Sequence, residues 1–190
     1  MTIALRDIRT LAACLLLPAS ALAAQVAAPA SSQPGANHAA RCEVWTRELS
    51  FARSVADHDA SAFADHVHAD AVFGPSTTEP ARGRDAVVRQ WDGLIAGKGL
   101  RLYWYPAQVV VAGTGDHAWS TGPALYEDRS PTAKHHYRLG RFHSVWRRDS
   151  DGVWRVLFDD GNAPQPASQD QAAAFRAGRI EACPEPLEPG

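Results

Sequence analysis

The chain has 190 residues, with 19 Lys and Arg against 21 Asp and Glu, a formal net charge of −2 and a sequence pI near 6.4. That length suits one principal domain, and the lack of a basic excess argues against a nucleic-acid partner. Ordinary charge and apolar content exclude wholesale disorder, and no apolar run reaches the roughly 18 residues of a membrane span.

Residues 1–23 read as a secretory signal peptide. Arg6 and Arg9 give a positive start, an apolar stretch covers residues 11–22, and Ala21-Leu22-Ala23 supplies the small-x-small site before Ala24. Cys14 ends a Leu-Ala-Ala-Cys run with lipobox letters, but it lies too near Arg9 and the apolar run continues past it. The mature protein is therefore expected in the periplasm or outside the cell, soluble after cleavage. It keeps Cys42 and Cys183, which an oxidising compartment allows one way to pair; two free buried thiols are the alternative.

Residues 24–38, rich in Ala, Pro, Ser and Gln, read as a flexible leader. Residues 39–162 form the expected globular domain, and residues 163–190 a Pro-rich tail with a short helix over 168–180. A first helix is predicted over residues 40–56. At 100° per residue, Phe51, Val44, Val55, Ala52, Trp45, Ala56, Leu49 and Cys42 share one half. Glu48 falls inside that apolar half. Asp59 suits the N-cap of a short second helix over 60–66, and Val87, Val88, Trp91, Leu94 and Ile95 mark a third over 84–96, ended by Gly97 and Gly99. From Leu100 the period changes to two. Strands are predicted over 100–111, 117–127, 136–148 and 153–160, with bends at Pro106 and Gly140. Helices first and an antiparallel meander after is an α+β pattern.

In the last hairpin, Ser150-Asp151-Gly152 suits a three-residue loop with Gly in the left-handed position. That register pairs Trp146 with Val156, Ser144 with Phe158 and Phe142 with Asp160. One face then carries Phe142, Trp146, Trp154, Val156 and Phe158, with Asp160 at its end. The other carries Arg141, His143, Arg147, Arg155 and Asp159 around Val145 and Leu157.

With these elements in hand, the run GRFHSVWRRDSDGVWRVLFDDG (140–161) resembles the nuclear transport factor 2-like superfamily, in its polyketide-cyclase-like and secreted branches. The segments WTRELSFARSVADHDASAFADH (45–66), RGRDAVVRQW (82–91) and TGPALYED (121–128) add to the resemblance, which covers roughly residues 41–162. It implies a cone: three N-terminal helices packed on a curved antiparallel sheet that encloses a pocket, often dimeric through the outer sheet face. Members include isomerases and dehydratases and also binding or assembly modules, so fold alone names no reaction. The catalytic sets of the ketosteroid isomerases and epoxide hydrolases do not align here.

Two carboxylates are the candidate chemistry. Glu48, on an apolar helix face under a curved sheet, has the setting for a raised pKa and general acid or base work; the alternative is a structural carboxylate satisfied by an Arg or an indole N–H. Asp160 ends an apolar strand face, at a pocket rim or as a turn residue. His143 and Asp159 form a candidate cross-strand pair. Trp45, Phe63, Trp91, Trp104, Trp119, Tyr126, Phe142, Trp146 and Phe158 are the expected pocket lining for a small apolar or aromatic ligand; as aromatic residues they suit a filled core equally well. His66-x-His68 and His135-His136 are short of the three or four ligands that zinc needs, and no predicted helix carries a two-turn His pair with an acidic partner, so no metal and no cofactor is expected. Two functions stand: a cofactor-free acid–base enzyme of isomerase or dehydratase type using Glu48 and Asp160, or a non-catalytic ligand-binding or assembly domain. A homodimer through the face containing Val145 and Leu157 is expected in either case.

Overall fold

Most of the apolar half predicted for the first helix is buried, except Ala56, which is exposed, and Cys42, which is half-buried. In the computed structural model, which describes residues 34–185, helix α1 (Pro34–Ala56) buries Val44, Trp45, Leu49, Phe51, Ala52 and Val55, with Glu48 among them. The helix already covers residues 34–38, which were expected to be flexible leader. Residues 1–23, expected to be a signal peptide, lie outside the described residues. Helix α2 (Ala60–His66) follows, and the Asp59 carboxylate accepts from the Ala62 N–H at 2.9 Å as its N-cap.

The helices are not consecutive, which corrects the expected order. Strands β1 (Val67–Phe73) and β2 (Ala81–Arg82) stand between α2 and helix α3 (Arg84–Ile95). Strand β1 was hidden because its burial does not alternate and its main partner is remote: it runs parallel to β7 (Trp154–Gly161). Strands β3 (Leu100–Trp104) and β4 (Gln108–Ala112) are the two halves of one predicted strand, broken at Tyr105-Pro106-Ala107. Both pair antiparallel with β5 (His117–Asp128) along one edge. On its other edge β5 pairs with β6 (Tyr137–Arg148). Strand β6 pairs first with β8 (Gln165–Ala167) and then with β7, and Gly140 lies between the two partners. Two long strands, each flanked by two short ones, bend the sheet across its middle. Its path is β2-β1-β7-β6-β5-β3, with β4 and β8 off the path. This is the α+β, half-barrel form of the expected cone, with α1 laid in its concave side.

Helix α4 (Gln169–Ala177) opens with a capping box between Ser168 and Gln171 and buries Ala172 and Phe175; the Phe175 ring lies 4.9 Å from that of Tyr105. Beyond it the chain returns to α1, where Cys183 is disulfide-bonded to Cys42 across a separation of 141 residues. The Arg41 guanidinium donates to the Pro184 carbonyl beside the bridge. No helix among the described residues is long and apolar enough to cross a membrane.

The last hairpin departs from the predicted register in one place. Gly152 takes the left-handed conformation, φ +80°, and Trp146 pairs with Val156 as expected. One residue later the ladder shifts: Val145 lies opposite Phe158, leaving Leu157 as an extra residue in β7. A bulge of this kind moves every later side chain to the other face. Phe158 is therefore on the outside, 40% exposed, rather than in the pocket, and Asp159 turns inward.

Candidate functional site

The concave side holds a cavity of about 550 Å³. Phe73, Leu102, Trp104, Ala124 and Phe142 are its buried floor, and Trp91 and Leu94 of α3 form a side. The mouth lies among exposed groups: Ser76 and Thr77 after β1, Gln90 of α3, Arg141 of β6, and Gly161, Asn162 and Ala163. The aromatic floor is continuous, with the Trp91 and Trp104 rings 6.2 Å apart and Trp104 and Phe142 6.5 Å apart. An apolar bowl with few polar groups is the usual form of a small-molecule site.

Of the expected lining residues, Trp91, Trp104, Tyr126 and Phe142 line this cavity. Trp45, Phe63 and Trp146 do not; each is fully buried in the packing around α1. Trp119 and Phe158 do not either, for both lie on the outer face, where the Trp119 ring stacks on His143 at 5.9 Å. Aromatic residues serve core and cavity alike, and the sequence does not mark which faces an opening.

Glu48 and Asp160 do not meet across one cavity. Glu48 has no solvent exposure and is absent from the lining. Its Oε1 accepts from the Trp104 indole N–H at 2.7 Å, and its Oε2 from the Ser120 hydroxyl at 2.5 Å and the Trp146 indole at 3.0 Å. Burial pushes its pKa up to about 7, against the opposing pull of these three donors. The indole-satisfied alternative describes this geometry.

Asp160 lines the mouth. Its Oδ2 accepts from the Ser76 backbone N–H at 2.9 Å and its Oδ1 from the Gly161 N–H at 2.8 Å. Partial burial works to raise its pKa, but these donors and nearby His143 hold it below the ordinary carboxylate value. His143 thus lies opposite Asp160, not the expected Asp159.

Asp159 is the residue that sequence reasoning placed on the wrong face, as the outward partner of His143. It lines the cavity wall and accepts from the Ser144 hydroxyl at 2.7 Å. Burial, and then the charges of Glu48 and Asp160, push its pKa up to about 8, with the Ser144 bond opposing. Tyr126 shares that wall; burial and the Asp159 charge raise its phenol. The signal that could have exposed Asp159 is the Asp159-Asp160 pair itself: whichever phase the strand takes, one of the two faces inward. Among the described residues no group of three or more His, Cys, Asp or Glu could hold a metal ion.

Residues 49–157 match the model of the SnoaL-like domain family. Solved structures share the fold. A nuclear transport factor 2-like protein with a cystatin-like fold from Novosphingobium aromaticivorans is 23% identical, with a TM-score of 0.51 over 71% of this chain and 85% of that one. A provisionally named scytalone dehydratase from the same organism is 13% identical, with a TM-score of 0.58 over 72% and 93%. A ketosteroid isomerase-like protein from Erwinia carotovora atroseptica is 14% identical, with a TM-score of 0.52 over 64% and 92%. No curated protein matches the chain.

Proposed function

The chain belongs to the SnoaL-like domain family, and on that premise we propose that it binds a small apolar or aromatic molecule in the cone and performs acid–base chemistry on it without a cofactor. One observation carries this reading. Asp159 lines the cavity wall and Asp160, the next residue, borders its mouth, and their surroundings push their proton affinities apart. Such a divided pair supplies an acid and a base at one pH. Asp159, protonated at neutral pH, donates a hydrogen bond to a carbonyl or hydroxyl oxygen of the ligand. Asp160, ionised, accepts a proton from the carbon beside it.

In an isomerisation, the C–H proton passes to Asp160 and the electron pair becomes an enol held by Asp159; reprotonation at another carbon completes the turn. In a dehydration, Asp160 takes the C–H proton, the C=C bond forms, and the hydroxyl leaves as water with the Asp159 proton. Asp160 is a weak base, so both routes need a C–H acidified by a neighbouring carbonyl. The likeness to structures named for an isomerase and a dehydratase supports the fold of this reading, not its substrate.

The test uses 2-tetralone, a flat aromatic ketone that fits such a bowl. Its α-proton exchange in D₂O at neutral pH is followed by NMR. Wild type is expected to exceed buffer by about 100-fold or more, the usual scale of positioned acid–base help. Asp159→Asn and Asp160→Asn are each expected to remove most of that gain while keeping the far-UV spectrum. Ligand-induced quenching of tryptophan fluorescence without any exchange would leave the non-catalytic binding module as the function.

We also propose that the mature chain starts near Ala24, is exported, and pairs with a second copy through its outer sheet face. Val110, Trp119, Val145 and Phe158 are successive cross-strand partners from β4 to β7. Val110 and Phe158, at the two ends of the row, are 46% and 40% exposed. Such an apolar stripe on a sheet face suits a modest isologous interface, and the disulfide suits an oxidising compartment.

A further inference from the structure

The inner sheet face carries two serines directly opposite each other, Ser120 on β5 and Ser144 on β6, both fully buried. Each gives its hydroxyl hydrogen to a carboxyl group, Ser120 to Glu48 and Ser144 to Asp159, and Ser144 and Asp159 are themselves partners across β6 and β7. The four side chains form a polar row through an otherwise apolar core, from helix α1 to the cavity wall. A buried carboxyl is no asset to stability, because apolar side chains of like volume fill such a place at least as well. Glu48 cannot touch a ligand in the cavity, since it does not line it. Its charge still reaches beyond its contacts, because charges act strongly where water is excluded. Trp104 is a second link, with its ring on the cavity floor and its indole N–H on Glu48 Oε1.

We infer that Glu48 is a positioning residue for Asp159: its buried charge, standing behind the Ser120–Ser144 row, holds the proton on Asp159 so that the cavity wall presents a donor at neutral pH. This rests on reading Asp159 as the acid of the cavity. The groups that face Asp159 are few. Glu48 comes from α1, Asp160 from its own strand, Tyr126 from β5 and Arg141 from β6, while α3 brings the uncharged Gln90, Trp91 and Leu94 to the cavity. Glu48 and Asp160 both favour the protonated form of Asp159, but Asp160 stands at the open mouth, where water screens it. Glu48 meets only uncharged donors, from β3, β5 and β6.

The coupling is read by NMR titration of ¹³C-carboxyl-labelled Asp and Glu, which needs no substrate. In Glu48→Gln the Asp159 midpoint is expected to fall by roughly one pH unit, a tenfold loss of proton affinity. Glu48 ionises first, while Asp159 still holds its proton, so in Asp159→Asn the Glu48 midpoint is expected to stay near its wild-type value. Should Glu48→Gln fail to fold, Glu48→Met, an apolar side chain of like volume, is titrated in its place with the same expectation for Asp159. An Asp159 midpoint that stays within about 0.3 pH units of wild type in a folded Glu48 variant overturns the inference, as does a Glu48 midpoint that falls by a full unit in Asp159→Asn, which would make Asp159 the first of the two to ionise. A merely structural Glu48 changes the melting temperature in these variants but not the midpoints. A shifted Asp159 midpoint without exchange of 2-tetralone retires the enzymatic reading and leaves the coupling standing.

Discussion

Asp159 and Glu48 give the fold a pH dependence whose sign differs from that of surface ion pairs. Both carboxyls bind protons more tightly in the folded state: Asp159 rises from 3.8 to about 8 and Glu48 from 4.5 to about 7. Their contribution is complete below their unfolded values and is lost as pH rises through the folded ones. His66 acts in the opposite sense. Buried, with its Nδ1 on the Ala62 carbonyl, it falls from 6.5 to about 4, so its contribution is present above pH 6.5 and lost as pH falls through 4. From pH 6.5 to 8 the two carboxyls therefore act alone among these three, at a slope of at most ~1.4 kcal/mol per pH unit for each proton released. The melting temperature is expected to fall across that window in wild type. In Asp159→Asn the fall should be much shallower and should end near pH 7. Thermal melts at half-unit steps check this, and an Asp159→Asn curve parallel to wild type would sink the assignment of the raised carboxyl.

The elements are built to bend, and Gly122 shows where. It sits in β5 at the point where that strand's edge partner breaks between β3 and β4. A Cβ there would lie 2.0 Å from the Tyr105 carbonyl oxygen and 3.0 Å from the Ala107 nitrogen. Both are backbone atoms of the Tyr105-Pro106-Ala107 crossing and cannot swing aside as a side chain could. Forcing extra atoms into close packing costs about 1–3 kcal/mol or more. Gly122→Ala is thus expected to lower stability by at least that much in urea denaturation, whereas Gly93→Ala, with open space at its Cβ, should not. Equal midpoints for the two variants would mean that the crossing yields. The bulge at Leu157 is the second bending device. It places Asp159 inward and Phe158 outward, and so supplies both the cavity carboxyl and one end of the outer stripe.

At the scale of the whole molecule, the tail completes what the cone begins. Ala163 and Pro164 join the cavity wall, β8 extends the sheet beside β6, and α4 covers the Tyr105 corner before Cys183 ties the chain to α1. These parts follow the family-matched residues, so one side of the mouth is formed by sequence outside the matched span. The outer face makes its own prediction. Phe158→Asp places a charge at the end of the apolar stripe without touching the core, and is expected to shift a dimeric wild type to monomer in sedimentation equilibrium. Wild type that sediments as a monomer at high concentration would rule out the proposed pairing.

The sequence by itself determined every feature set by neighbours a few residues apart. The helical period placed Glu48 inside the apolar half of α1, and it is fully buried there. Asp59 caps α2, Gly152 turns the last hairpin, and Pro106 and Gly140 stand at the breaks in strand pairing. What only the tertiary structure decided depends on partners far along the chain. Strand β1 exists because β7 pairs with it across some 85 residues, and its own residues carry no alternating pattern to announce that. The Leu157 bulge forms where β6 and β7 must follow the curve of the cone, and period-two reasoning has no term for one extra residue. That single step exchanged Asp159 with its neighbours as the inward carboxyl and turned Phe158 and the expected His143 pairing to other partners. Local periodicity fixes which side of an element is apolar, whereas the phase of a strand across a bulge is set by the strands it joins.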